Sequence, residues 1–426
     1  MNRIIRKIIA TVSLSAVLAL AGFGQTLSDA EKKVAAAVDK DAAGSVDFLE
    51  KAVNIESPTE NLAGVKEVGM LFKKEFDALG FKTRWIEMPP EMKRAGHLLA
   101  EKTDGKGKRI LLLGHLDTVL KGEKFRREGN MGYGTGIADM KGGDVVILYA
   151  LKALAATGAL REMNVTVLLT GDEEDTGDPE EIARRDMVEA AKRSDLVLSY
   201  ENGVAGTATV ARRGIGGWEL EVTGNTGHSS QIFSDWMGSG SVYEASRILE
   251  QFYEAFSNEK YLTVNPALIV GGTKVEMTDY AGTATAKTNV VAGRTIVRGD
   301  FRFISSEQAE SARKRMQEIV AKSRPQSSAK ITFTGGMPAM PPTEGNYNLL
   351  KQLDQVSRDL GLGEIKALDP GSRGAGDISY VAYLLPGLDG LGAMGSKAHA
   401  VGEYAELDKL PQQTKRTALL LYRLAR

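Results

Sequence analysis

Ile110-Leu111-Leu112-Leu113-Gly114-His115-Leu116-Asp117-Thr118 is a short apolar run that stops at a glycine, a histidine and an aspartate. Four consecutive apolar residues, with neither helical spacing nor alternation, read as a strand buried on both faces. The pattern returns twice. Val165–Thr170 leads into Gly171-Asp172-Glu173-Glu174, and Asp195–Tyr200 leads into Glu201. Helical spacing over Lys141–Thr157 and Glu180–Arg193 separates the runs. Short apolar strands alternating with helices predict an α/β chain with a mostly parallel sheet covered by helices on both faces.

Working outward, residues 29–53 and 61–80 read as two helices on either side of Ser57-Pro58-Thr59. Residues 81–87 and 96–102 read as strands, and Asp104-Gly105-Lys106-Gly107 as a hairpin turn. The character changes after Gly216. Residues 217–223 alternate like a half-exposed strand, a helix follows at 241–256, and strand-like runs lie at 267–276 and 293–304. A helix at 306–322 and a strand at 329–334 complete a β-α-β-β-α-β order, the ferredoxin-like type. Pro338, Pro341 and Pro342 mark the return to helix and strand patterns. The expected organisation is an α/β domain over 29–213 and 337–426, split by an inserted domain at 214–336. Hinges are expected near Gly214–Gly217 and Gly335–Pro338.

The 426 residues carry a formal net charge of −1, with 42% hydrophobic and 26% charged residues. That excludes wholesale disorder and a multi-span membrane protein. Nucleic acid is excluded as the main partner, because no basic excess is available to neutralise phosphates. With no cysteine, disulfides and thiolate chemistry are excluded. Arg3, Arg6 and Lys7 precede an apolar run from Ile8 to Ala21 and then small residues. Residues 1–24 therefore read as a signal peptide, too short for a membrane span, which needs about twenty apolar residues. The expectation is an exported protein, periplasmic or secreted, with no stable membrane anchor after cleavage.

In open α/β sheets, sites form where strands end. Here the ends carry His115 and Asp117, Glu173 and Glu174, and Glu201. Asp139 stands in the glycine-rich loop Gly132–Gly143, just before a helix, and His399 follows the glycine-rich stretch Gly390–Gly395. That loop lacks the Lys-Ser/Thr ending of a phosphate-binding P-loop. Carboxylates converging without basic neighbours repel one another, and bound cations relieve this. Imidazole and carboxylate suit zinc, with cobalt or manganese as substitutes. Five ligands exceed the need of one tetrahedral zinc, so two metals sharing a carboxylate and clamping a hydroxide fit better. An exported two-domain α/β chain can also be a solute-binding protein. Such a protein has no need of adjacent Glu173 and Glu174, or of two histidines placed to meet three acids.

These motifs resemble the dimetal metallopeptidases that include glutamate carboxypeptidase, aminoacylase and succinyl-diaminopimelate desuccinylase. The resemblance rests on Gly114–Thr118, Asp139–Gly143, Asp172-Glu173-Glu174, Glu201, Gly227-His228-Ser229 and His399. It implies two divalent metal ions per subunit. His115 and Glu201 would bind the first, Glu174 and His399 the second, and Asp139 both. It also implies Glu173 as general base, Asp117 as the residue orienting His115, and a cis peptide at Asp139–Met140. His228 would reach the active site of a partner subunit in a homodimer formed through the inserted domain. Asn289, Arg302 and Gly376, the last in Gly374-Ala375-Gly376-Asp377, match positions that contact substrate. Two departures stand out. Met337, before Pro338, replaces the arginine of glutamate carboxypeptidases, and Ala292 replaces a proline. The resemblance thus implies amide hydrolysis of small peptides or N-acyl amino acids and leaves the preferred amino acid open. A carboxypeptidase-like exopeptidase comes first, and an N-acyl-amino-acid amidohydrolase or dipeptidase second.

Overall fold

The computed structural model describes residues 27–426, so the expected signal segment lies outside the described residues. The first part runs α1 (Asp29–Lys40), α2 (Ala42–Val53), α3 (Leu62–Ala78), β1 (Lys82–Ile86), β2 (His97–Lys102) and β3 (Arg109–His115). It continues through β4 (Arg126–Glu128), β5 (Met131–Tyr133), α4 (Lys141–Ala156), β6 (Asn164–Thr170), α5 (Glu180–Ala183), α6 (Arg185–Lys192), β7 (Leu196–Ser199) and β8 (Thr207–Ala208).

The middle holds β9 (Gly214–Gly224), α7 (Gly240–Phe256), β10 (Thr263–Gly272), β11 (Lys274–Met277), β12 (Gly282–Thr285), β13 (Arg294–Phe303), α8 (Ser306–Val320) and β14 (Ser327–Thr334). The last part holds α9 (Glu344–Asp359), β15 (Lys366–Ala367), β16 (Gly387–Leu388), β17 (Gly395–Ser396), β18 (Tyr404–Glu406) and α10 (Leu410–Leu424). Among the described residues no helix is long and apolar enough to cross a membrane.

The main sheet has the order β1-β2-β6-β3-β7-β16. β6, β3, β7 and β16 run parallel, and β2 pairs antiparallel to both β1 and β6. Successive side chains of a strand point to opposite faces, and β3 shows the consequence. Ile110 and Leu112 join the core under α1–α4, α9 and α10, while Leu111 and Leu113 join a second core with Met187, Ala190 and Ala191 of α6. Both faces are covered, so every position of the run must be apolar.

Three local readings are corrected. The helix expected over 29–53 is two helices that meet at Asp41. The helix expected over 180–193 breaks at Arg184, which turns a buried guanidinium toward the strand ends. The glycine turn at 104–107 does not close a hairpin, because β6 lies between β2 and β3. Gly105 N–H instead donates to Asn164 Oδ1, and Lys106 N–H to Glu162 O, so the turn is tied to the start of β6.

The middle segment forms its own antiparallel sheet, β10-β13-β9-β14, which is the ferredoxin-like order, with an added β11–β12 hairpin. Trp218, Leu220 and Val222 of β9 pack with Ile248 and Phe252 of α7 and with Ala312 and Met316 of α8. The two crossings between the sheets run side by side. Arg212 and Met340 exchange backbone hydrogen bonds of 2.9 and 3.0 Å, and Ile215 N–H donates to Met337 O at 3.0 Å.

The first turn of α4 lies against the end of β7. A Cβ on Gly143 would fall 1.9 Å from Tyr200 O. Gly143→Ala must push α4 away from the strand that leads to Glu201. It is expected to cost about 1–3 kcal/mol, read as a lower midpoint in urea unfolding. An unchanged midpoint would show that this contact does not hold α4 in place.

Candidate dimetal centre

The parallel strands deliver their acids and histidine to one edge of the sheet. His115 closes β3, Glu173 and Glu174 follow β6, and Glu201 follows β7. Asp139 sits in the loop before α4, where the Asp139–Met140 peptide is cis, as expected. His399 lies between β17 and β18 with a left-handed φ of 62°.

Asp139 stands between the two histidines. Its Oδ1 lies 3.2 Å from His115 Nε2 and its Oδ2 lies 3.1 Å from His399 Nε2. Glu201 Oε1 is 3.8 Å from His115 Nε2, and Glu174 Oε2 is 3.1 Å from His399 Nε2. The result is two overlapping donor groups, His115–Asp139–Glu201 and Asp139–Glu174–His399, joined by Asp139. A third grouping, His115–Glu173–Glu174, places Glu173 beside both.

Ligands about 2.0–2.2 Å from one zinc stand roughly 3–3.5 Å from each other. The separations of 3.1 and 3.2 Å match that spacing, so these residues fit a pair of cations sharing Asp139.

The electrostatics point the same way. Burial, then the neighbouring Asp377, Glu174 and Asp139 charges, push Glu173 up to about 8. Burial, then Asp139 and Glu173, hold Glu201 well above the usual carboxylate range. Burial also raises Asp139, but hydrogen bonds with His115 and His399 outweigh it and leave this carboxyl well below its ordinary value. Hydrogen bonds with Asp139 and Glu174 raise His399 to about 10. Glu173 and Glu201 thus favour their protonated forms unless positive charge is placed among them.

The acids do have a basic neighbour, contrary to the sequence reading. Arg212 is buried with Nη1 4.0 Å from Glu201 Oε1, but it is ion-paired with Asp389 and donates from Nε to Gly374 O at 2.8 Å. Its charge is already answered by Asp389, so an excess of negative charge remains at the centre.

Asp117 does more than face His115. His115 Nδ1 donates to the Asp117 backbone carbonyl at 3.0 Å, and the carboxylate Oδ1 is farther, at 3.5 Å. That carboxylate accepts the Glu173 N–H at 3.1 Å, the Glu174 N–H at 3.2 Å and the Thr59 hydroxyl at 2.7 Å. It thereby holds the backbone from which both glutamates project. On the other side of the turn, Arg184 donates to Asp172 Oδ1 at 2.6 Å and approaches Asp377 Oδ1 at 3.0 Å. The Asp-Glu-Glu turn and the Gly374–Asp377 loop are thus tied through one buried guanidinium.

The remaining expected residues are placed as follows. Gly376 lies against Arg212, and a Cβ there would fall 2.6 Å from the guanidinium carbon. Arg302, on β13, donates to Asp300 at 3.2 Å, and its Nη1 is 3.4 Å from where a Gly374 Cβ would sit. His228 and Asn289 are exposed on the insert and adjoin one another, with Ser229 N–H donating to Asn289 O at 2.9 Å. His228 Nδ1 hydrogen-bonds Ser230 at 2.9 Å. No donor group within the described residues includes His228.

Fold and site together define a metal-dependent amide hydrolase of the dimetal exopeptidase class. The family profile of peptidase family M20/M25/M40 matches residues 111–423, and the chain belongs to that family. It is 29% identical over 389 residues to carboxypeptidase G2 of Pseudomonas sp. (strain RS-16), covering 88% of this chain and 87% of that one. It is 24% identical over 361 residues to succinyl-diaminopimelate desuccinylase of Acidovorax ebreus (strain TPSY), covering 79% and 88%. Among solved structures it resembles aminopeptidase PepT of Bacillus cereus, with TM-score 0.71 at 15% identity over 90% of this chain and 99% of that one. It also resembles a dinuclear metal-binding M20 peptidase of Bacillus subtilis, with TM-score 0.62 at 14% identity over 91% and 99%.

Because Asp117 holds two glutamate N–H groups as well as facing His115, Asp117→Ala is expected to lower kcat or metal affinity by about 10–100-fold. Steady-state kinetics and metal titration measure this. Wild-type values for both would show that the Asp-Glu-Glu turn keeps its shape without this carboxylate.

Proposed function

We propose that this chain is an exported carboxypeptidase-like exopeptidase that hydrolyses an amide bond of small peptides or N-acyl amino acids. The observation that carries the reading is the Asp139 carboxylate shared between His115 and His399, with Glu201 and Glu174 completing two donor groups. His115 and Glu201 would hold one divalent cation, Glu174 and His399 the other, and Asp139 would serve both. Zinc suits these donors best, and cobalt or manganese can take its place. The chemistry supplied by such a bound pair is Lewis acidity, which acidifies water and polarises a carbonyl.

Glu173 is the general base. It stands beside both donor groups without being the carboxylate they share, and with positive charge placed among these acids it would be ionised and able to take a proton from water. Water oxygen joins the acyl carbon, the C–N bond breaks, and Glu173 passes the proton to the departing amine nitrogen. Asp117 keeps Glu173 aimed by holding its backbone N–H.

Arg302, beside the Gly374 loop, is positioned to take a substrate carboxylate, and Asn289 and Gly376 complete the substrate contacts. The likeness to carboxypeptidase G2 favours the exopeptidase reading. Met337 at the end of the insert favours the second one, an N-acyl-amino-acid amidohydrolase or dipeptidase.

His228 acts from the insert as an oxyanion donor in the active site of a partner subunit. A homodimer through the insert is supported by its edge strand β10, which exposes Ile269, and by Val242, Tyr243 and Tyr253 on α7. The insert closes over the substrate as a lid. Export rests on the basic and apolar start of the chain. N-terminal sequencing of protein recovered outside the cytoplasm is expected to begin near residue 25, and an intact Met1 there would contradict cleavage.

Two measurements test the chemistry. Zinc-loaded enzyme is expected to cleave members of a panel of dipeptides and N-acyl amino acids. Glu173→Gln is expected to keep two metal equivalents and lose about 10²–10⁴-fold in kcat. A Glu173→Gln enzyme that cleaves at the wild-type rate would remove Glu173 from the role of base. A monomer in sedimentation that keeps full activity would remove His228 from the partner's site.

A further inference from the structure

Glu403 has no part in the chemistry above, yet its carboxylate is buried, 4% exposed, at the foot of the loop that bears Asp139. Oε2 accepts the Gly136 N–H at 2.8 Å, and Oε1 accepts the N–H groups of Ala138 at 2.8 Å and Asp139 at 3.0 Å. One carboxylate therefore takes three backbone donors, among them that of the residue shared by both donor groups. Its backbone continues the tie. Glu403 O accepts the Gly134 N–H at 3.1 Å, and the strand that follows it pairs Tyr404 with Tyr133 and Ala405 with Gly132.

The same segment carries His399 a few residues earlier. That stretch has little of its own to hold it. The His399 side chain is 54% exposed, its backbone is left-handed, and Lys397 beside it is left-handed too. Gly402 N–H donates to Glu123 Oε2 at 2.8 Å, and Glu123 in turn exchanges hydrogen bonds with Thr135. The His399 turn and the Asp139 loop are thus clamped to one another, while the chain that enters the turn is tied beside Glu201 by Gly392 N–H donating to Glu201 O at 2.9 Å.

We infer that Glu403 is a positioning residue that locks the Asp139 loop to the His399 turn and so sets the affinity of the second cation site, Asp139–Glu174–His399, more than the first. The physical reason is reach. Asp139 is common to both sites, but the other two members of the first, His115 and Glu201, come from ends of the packed sheet to which Glu403 makes no hydrogen bond. The second takes His399 from a turn whose buried anchor is Glu403. Rigid supporting hydrogen bonds of this kind decide how well ligand atoms are held for a metal.

This inference rests on the dimetal reading, and the experiment separates the two. Metal-free wild type, E403Q and E403A are titrated with zinc against a chromophoric chelator, and their metal-free Tm is recorded. E403Q keeps the size of the side chain but turns an amide N–H₂ toward a backbone N–H. Wild type is expected to take two equivalents. Both variants are expected to weaken the second by at least about tenfold, while the first equivalent and the metal-free Tm of E403Q stay near wild type. E403Q and E403A that bind both equivalents as wild type does would overturn the inference alone. So would an equal weakening of both equivalents with a fallen Tm, which would mark Glu403 as part of general stability. Wild type that takes fewer than two equivalents would overturn the dimetal reading and this inference with it.

Discussion

The Asp139 carboxylate presents one oxygen to His115 and the other to His399, and the elements around the main sheet are arranged so that this sharing can occur. A carboxylate among other carboxylates is costly unless positive charge or hydrogen-bond donors answer it. Asp139 is answered on one side by a histidine from the rigid core and on the other by a histidine from a surface turn. The sheet order β6-β3-β7 supplies the first side, because parallel neighbours end at the same edge. The small sheet of β17, β18, β5 and β4 supplies the second, because it pairs β18, the strand after His399, with β5, the strand before Asp139.

Around that shared carboxylate lies a set of buried charges that are already satisfied. Arg184 is ion-paired with Asp172 and Asp377, and Arg212 with Asp389. Breaking one side of such a pair leaves a charge buried without a partner, which is why these contacts hold geometry firmly even where their net stabilisation is small. Arg212 also has a backbone role. It pairs with Met340 at the crossing between the two sheets, while its guanidinium packs on Gly376 and lies near Glu201. The insert is therefore attached at a point whose Arg212 guanidinium lies 4.0 Å from Glu201, one acid of the donor groups. Any swing of the insert pivots beside Glu201 rather than at a distant linker.

Much of this was legible in the chain. Ile110–Leu113 and Val165–Thr170 read as strands buried on both faces because both of their faces are in fact covered. Histidine and acids placed immediately after such strands stand at one edge of the sheet. The β-α-β-β-α-β order likewise made the insert recognisable. What misled was local chemistry with a nonlocal purpose. The turn at 104–107 has hairpin residues, yet β6 separates its flanking strands. Arg184 lies inside a helical pattern and interrupts it to reach Asp172 and Asp377.

The order of residues along the chain is enough to show which residue types are available, that the strands are apolar enough to form a covered parallel sheet, and that two histidines and several acids stand at strand ends and loops. Only the tertiary structure decided that Asp139 lies between those histidines, that Asp117 holds the backbone of Glu173 and Glu174, and that Glu403 and Arg212 support the centre. The reason is physical. Burial periodicity is written in neighbouring residues, whereas a buried carboxylate chooses its partners from whatever the folded chain brings within hydrogen-bond reach, and no local pattern records that choice.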